Sequence, residues 1–188
     1  MPRVLVPLAD GFEEMEGMIV IDVLRRAGVE VVSASLTGNV VTAARQTKHV
    51  ADQSLESALS QEFDMIVLPG GGPGAIALQN DARLKANLLA FNEKGKPIAA
   101  ICAAPNVLRA HGILKGEDRF TMHPDAMPKA HGGTFVNERV VRTRNITTSV
   151  GPGSSFEFAL ELVEQLCGRE KRDSVAEPMH LPGVSHPV

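Results

Sequence analysis

Lys94–Leu114, KGKPIAAICAAPNVLRAHGIL, is the stretch that decides how this chain is read. Pro97–Ile101 (PIAAI) is a short unbroken apolar run, which predicts a strand covered on both faces. Ala103–Leu108 then open a helical pattern, and Pro105 suits a first helical turn, where an N–H is unneeded. Cys102 therefore falls on a sharp strand-to-helix corner flanked by small residues. Such a corner lifts a nucleophile clear of the backbone, as the GxSxG elbow of hydrolases does. It also turns helix N–H groups and the positive dipole end toward the sulfur, favouring thiolate over thiol. A free cysteine equally suits a small core position, and this passage alone leaves both readings open.

Working outward, strands and helices alternate. Arg3–Leu8 reads as a first strand, Glu13–Ala27 as a helix stopped by Gly28, and Val29–Ser35 as a second strand. Val40–Val50 suggests a small hairpin, Leu55–Leu59 a short helix, and Asp64–Leu68 a third strand running into Pro69–Gly74 (PGGGPG). Asp81–Lys94 is helical. Beyond the elbow, Arg119–Met122 and Gly133–Val136 are weaker strand candidates, and Arg139–Thr143 with Ile146–Ser149 form an antiparallel pair. A strong helix covers Phe156–Leu166 and ends at Gly168. From about Arg169 a short helix and a surface tail complete a single domain spanning 1–188. This order predicts an α/β fold, a mainly parallel sheet with helices on both faces. Ligands of such sheets lie beyond the carboxyl ends of the strands. Three features meet there: Asp10–Glu16 after the first strand, the glycine run after Leu68, and Cys102 after Ile101.

The chain has 188 residues and a net charge of −3, which gives no reason to expect nucleic acid or an anionic membrane as partner. No apolar run approaches the ~20 residues of a membrane span. The N-terminus meets acidic residues too early for a signal peptide. Two distant cysteines without metal spacing fit a reducing cytoplasm better than a disulfide framework. With no Trp or Tyr there is no aromatic platform for bases.

Glu16 falls in the first turns of its helix, within reach of the sheet end. One proton shared with Cys102 would raise the Glu pKa and lower that of the cysteine. Glu13, Glu14 and Glu16 are equally well placed as solvated acids at a helix start. The glycine run lacks a following Lys-Ser or Lys-Thr and GxGxxG spacing, so it is no phosphate loop. It can instead bring the Gly71 amide, with that of Ala103, toward a developing oxyanion, or simply make a tight turn. His123, before a proline in a loop, is a candidate base. His111, His131, His180 and His186 caution against choosing by residue type, and no histidine pair has ligand spacing beside a carboxylate, so no metal is expected. Cys167, late in a helix, reads as structural.

Taken together, LADGFEEMEGMIVIDVLRRAG, VLPGGGPGA, IAAICAAPNVL, TMHP and GPGSSFEFALELVEQLCG resemble, in order and spacing, the ThiJ/PfpI (DJ-one) superfamily. The resemblance runs from about Arg3 to Gly168, in the branch of the Parkinson-disease-associated deglycase and its bacterial relatives. It implies a flavodoxin-like three-layer sandwich, a homodimer, no cofactor, and a reactive Cys102 paired with a protonated Glu16. It further implies oxyanion amides at Gly71 and Ala103 and an adjacent His123. Gly70 and Pro152 would border the substrate, Pro152 approaching the partner subunit's site, with Arg26 and Arg45 near the dimer interface. Ala104 stands where many relatives have glycine, and Ala43 and Val50 where animal members carry further cysteines. Ala103 replaces the histidine of the protease-like branch, which leaves a Cys–His peptidase or amidotransferase-like hydrolase as the weakest implication. The activity implied is that of a glyoxalase or protein deglycase, acting on methylglyoxal, glyoxal or their early protein adducts. An oxidative-stress sensor and redox-regulated chaperone, working through a Cys102 sulfinic acid, is the alternative.

Overall fold

The computed structural model describes residues 1–129 and 131–182. His186 and the end of the expected tail lie outside the described residues. The elements run β1 (Arg3–Leu8), α1 (Glu14–Arg26), β2 (Glu30–Ser35), β3 (Val40–Thr42), β4 (Lys48–Val50), β5 (Gln53–Ser54) and α2 (Leu55–Leu59). They continue with β6 (Met65–Leu68), α3 (Gly72–Asn80), α4 (Ala82–Glu93), β7 (Ile98–Ile101), α5 (Pro105–Ala110), β8 (Arg119–Phe120) and β9 (Thr134–Phe135). Last come β10 (Val140–Thr143), β11 (Ile146–Ser149), α6 (Ser155–Cys167) and α7 (Arg169–Ala176).

Seven strands form one sheet in the order β10-β11-β7-β6-β1-β2-β5. All neighbours pair in parallel except β10 with β11. The pleat explains why the central strands read as unbroken apolar runs. Leu5, Ile66, Leu68, Ile98 and Ala100 point to one face, where they meet Leu55, Leu78, Leu88 and Val107 of α2 to α5. The alternate residues Val4, Val6, Met65, Val67, Ala99 and Ile101 point to the other, against Val20, Leu24, Phe158 and Leu162 of α1 and α6. The fold is the expected flavodoxin-like α/β arrangement, two helical layers around a mainly parallel sheet.

One helix was not foreseen. The glycine-rich run passes directly into α3 at Gly72, with Pro73 in its first turn. Glycines obscure helical periodicity, but three of them here precede or open the helix rather than interrupt its middle.

The order places β7, β6 and β1 side by side and parallel, so Ile101, Leu68 and Leu8 end on one rim. That rim gathers the elbow, the glycine run and the Asp10–Glu16 turn.

Candidate active site

Cys102 has φ of 63°, in the left-handed region, so the chain turns there with a strained non-glycine residue. The corner is fixed from two sides: Cys102 N donates to Ser149 O at 2.9 Å, and Cys102 O accepts from His123 N at 3.0 Å. The sulfur opens onto a cleft of about 720 Å³. Backbone N–H groups of Gly71 and Ala103 donate to it, each pulling its pKa down. In the resting site these amides are thus turned to the sulfur.

Behind the sulfur lies Glu16, 0% exposed. It is not a solvated helix-start acid. Its Oε2 accepts the Gly70 amide at 2.7 Å, while Oε1 is buried with no hydrogen-bond partner. Burial first, and then the Glu13 charge, push its pKa up to about 7, against the Gly70 amide and Cys102. Gly70 permits the approach: a Cβ there would lie 2.5 Å from Glu16 Oε2 and 2.6 Å from Cys102 Cβ. Gly71, at φ 88°, is similarly constrained, its missing Cβ falling 2.2 Å from Gly11 O.

The expected lowered thiol pKa is corrected here. Burial, then the Glu16 charge, push Cys102 up to about 12 while the two amides work in the opposite direction. The carboxyl and the thiol repel each other's ionised forms and so titrate as a unit, which holds two protons below about pH 7 and one above it. A thiolate forms when Glu16 takes that proton, which removes the repelling charge.

The remaining expected residues are brought together in part. Arg45, His123 and Pro152 line the cleft with Cys102, Gly71 and Ala103. The His123 ring lies 3.9 Å from the exposed Asp125 carboxylate. Arg26 is elsewhere: it pairs with Asp22 at 2.8 Å on the solvent side of α1. Gly70 lies behind the sulfur rather than on the cleft wall.

Sequence reasoning did not single out Glu13, which lines the cleft at 7% exposure, its carboxylate 4.0 Å from the Arg45 guanidinium. Nor did it find residues 42–46 as a wall. That loop is pinned by Asp10 Oδ1 on Thr42 N at 2.8 Å and by Glu14 Oε1 on Arg45 N at 2.9 Å. The clustered acids of ADGFEE were the available signal for both. Among the described residues no three His, Cys, Asp or Glu side chains group as metal ligands, and no helix is long and apolar enough to cross a membrane.

The residue profile of the DJ-1/PfpI family matches residues 2–165. Protein DJ-1 homolog B of Arabidopsis thaliana is 45% identical over 172 residues, spanning 90% of this chain and 39% of that protein. Glutathione-independent glyoxalase DJR-1.2 of Caenorhabditis elegans is 38% identical over 180 residues, 95% of each. The crystal structure of Drosophila melanogaster DJ-1beta superposes with a TM-score of 0.91 at 41% identity, covering 95% of this chain and 97% of that one.

Proposed function

The chain belongs to the DJ-1/PfpI family, and we propose that within it this protein is a cofactor-independent glyoxalase using Cys102 as nucleophile. The observation that carries the reading is a strained cysteine opening onto a cleft, backed by a wholly buried carboxyl whose pKa is raised to about 7. Glu16 takes the thiol proton and the sulfur adds to the aldehyde carbon of methylglyoxal, giving a hemithioacetal. The Gly71 and Ala103 amides, which donate to the sulfur at rest, would turn to the oxyanion once the sulfur's charge is spent. A proton then leaves the former aldehyde carbon and one is added to the neighbouring carbonyl carbon, with Glu16 and His123 as carriers. The first carbon is oxidised to a thioester as the second is reduced to an alcohol, so no external oxidant enters. Water cleaves the thioester and releases lactate, or glycolate from glyoxal.

Early methylglyoxal adducts of protein side chains present the same hemiacetal-like carbon, which makes deglycation the companion reading. The decisive measurement is lactate formation from methylglyoxal without glutathione. Wild type is expected to turn over and Cys102→Ser to be inert; equal rates would end the proposal.

A redox-sensor role is favoured by one further observation, a buried Oε1 without a partner on the Glu16 carboxyl, the group that interacts with the Cys102 side chain. A sulfinate formed on Cys102 would accept a hydrogen bond from the protonated carboxyl. Mild peroxide is expected to add two oxygens to Cys102 before Cys167 reacts, by mass spectrometry; equal reactivity would refute it. Both cysteines are free, which supports work in a reducing cytoplasm.

We also infer a homodimer. Met15 is 53% exposed on the outer side of α1, next to the half-buried Met18 and Ile19, an apolar strip suited to a second copy, with Arg26 and Pro152 near the contact. Light scattering at twice the chain mass is the expected result.

A further inference from the structure

Arg109, in the last turn of α5, has no ion-pair partner among the described residues, and burial alone lowers its pKa. Its guanidinium is instead spent on neutral groups. Nε donates to Gly132 O at 2.9 Å, and Nη1 to Met127 O at 3.0 Å and Asn106 Oδ1 at 2.9 Å. The group also stacks over the Phe120 ring at 4.9 Å. Asn106, held by this contact, donates Nδ2 to Ala126 O at 2.7 Å in a buried bond. The carbonyls so captured belong to the segment that follows His123 and supplies Asp125 and Ala126 to the cleft wall. That segment is tied to the elbow at its start by His123 N on Cys102 O. At Ala126, Met127 and Gly132 it is tied to α5, the helix that issues from the elbow.

We propose that Arg109, acting with Asn106, is a positioning residue that sets the width of the cleft and so decides which carbonyl compounds reach Cys102. A fixed wall favours small free oxoaldehydes over bulky carbonyl carriers such as glycated protein side chains, and so ranks the glyoxalase reading above its deglycase companion. A charged donor on three acceptors holds backbone more firmly than neutral bonds would. Its planar fork meets acceptors a lysine could reach only one at a time. The inference rests on the proposed use of Cys102 as nucleophile and adds the substrate size it accepts.

The test uses the full chain and one reactive group in two sizes: iodoacetamide and 5-iodoacetamidofluorescein, with labelling at Cys102 followed by peptide mass spectrometry. Arg109→Leu is expected to raise the ratio of bulky to small labelling rates about tenfold, the equivalent of one charge-assisted bond. Arg109→Lys should fall between it and wild type, and Asn106→Val should move the ratio the same way. Should Arg109→Leu fail to fold, the other two variants carry the test. Leu162→Ala, which opens a cavity on the opposite face of the sheet, should lower Tm and leave the ratio unchanged. A ratio unmoved by Arg109 and Asn106 variants that still make lactate overturns this inference alone, as does an equal rise in Leu162→Ala. If iodoacetamide does not modify Cys102 in the wild type, the proposed function falls and this inference with it.

Discussion

Glu16 and Gly70 are joined across the rim of the sheet by a 2.7 Å hydrogen bond from the Gly70 amide to Oε2, and this bond fixes a carboxyl that also interacts with the Cys102 side chain. A carboxylate fixed so deeply must announce itself in the pH dependence of both stability and rate.

The free-chain value of the Glu16 carboxyl is 4.5 and its folded value about 7, so the fold holds the proton. The stabilisation is complete below pH 4.5 and is lost as pH rises to about 7, amounting to something on the order of 3 kcal/mol. Glu16→Gln removes this loss. Its Tm is expected to stay level across that window and to exceed wild type at pH 8. Parallel Tm profiles for the two proteins would contradict the assignment.

Activity should move in the opposite sense. The ionised carboxylate is the form that accepts the thiol proton, so kcat/KM is expected to rise through a midpoint near 7. Glu16→Gln should cost roughly 10²–10⁴-fold. An unshifted profile in that variant would place the titrating group elsewhere.

Cys102 holds a left-handed backbone at φ 63°. A side chain there costs roughly 1–2 kcal/mol that glycine avoids. Cys102→Gly is therefore expected to be inactive yet to exceed Cys102→Ala in stability by about 1 kcal/mol. Denaturation of the two variants measures it directly, and an Ala variant as stable as the Gly one would show the corner to be relaxed.

A methyl group at position 70 meets two side chains of the pair and, at 2.9 Å, Ile101 O. Gly70→Ala should destabilise by roughly 1–3 kcal/mol and abolish lactate formation together. Gly153→Ala, whose Cβ would meet nothing within 4 Å, is the matched control and should change neither.

Much of the fold was legible because buried parallel strands are apolar on both faces. PIAAI, MIVL and RVLVPL stand out without help from a partner, and Gly28 and Gly168, at φ 80° and 87°, end their helices as expected. The elbow was legible for a local reason too: small residues and a proline at fixed offsets. All of α3 was hidden, because the glycines of its first turn carry no periodicity and the stretch left from Ala75 to Asn80 is too short to display one. Glu13 was hidden because two neighbouring acids on one helix start differ in burial only through what packs over them, namely the Gly70 backbone and residues 42–46. The thiol pKa direction was missed for the same reason. Amides and dipole are visible in sequence, but the depth of the carboxyl that opposes them is a tertiary fact.

The margins of the sheet differ from its middle. One is β5, only Gln53 and Ser54 long; the other is β10, antiparallel and carrying the exposed Arg142. Short or charged outer strands offer little template for another molecule's backbone. A second copy of this chain therefore finds at neither margin a long, uncharged strand on which to continue the sheet.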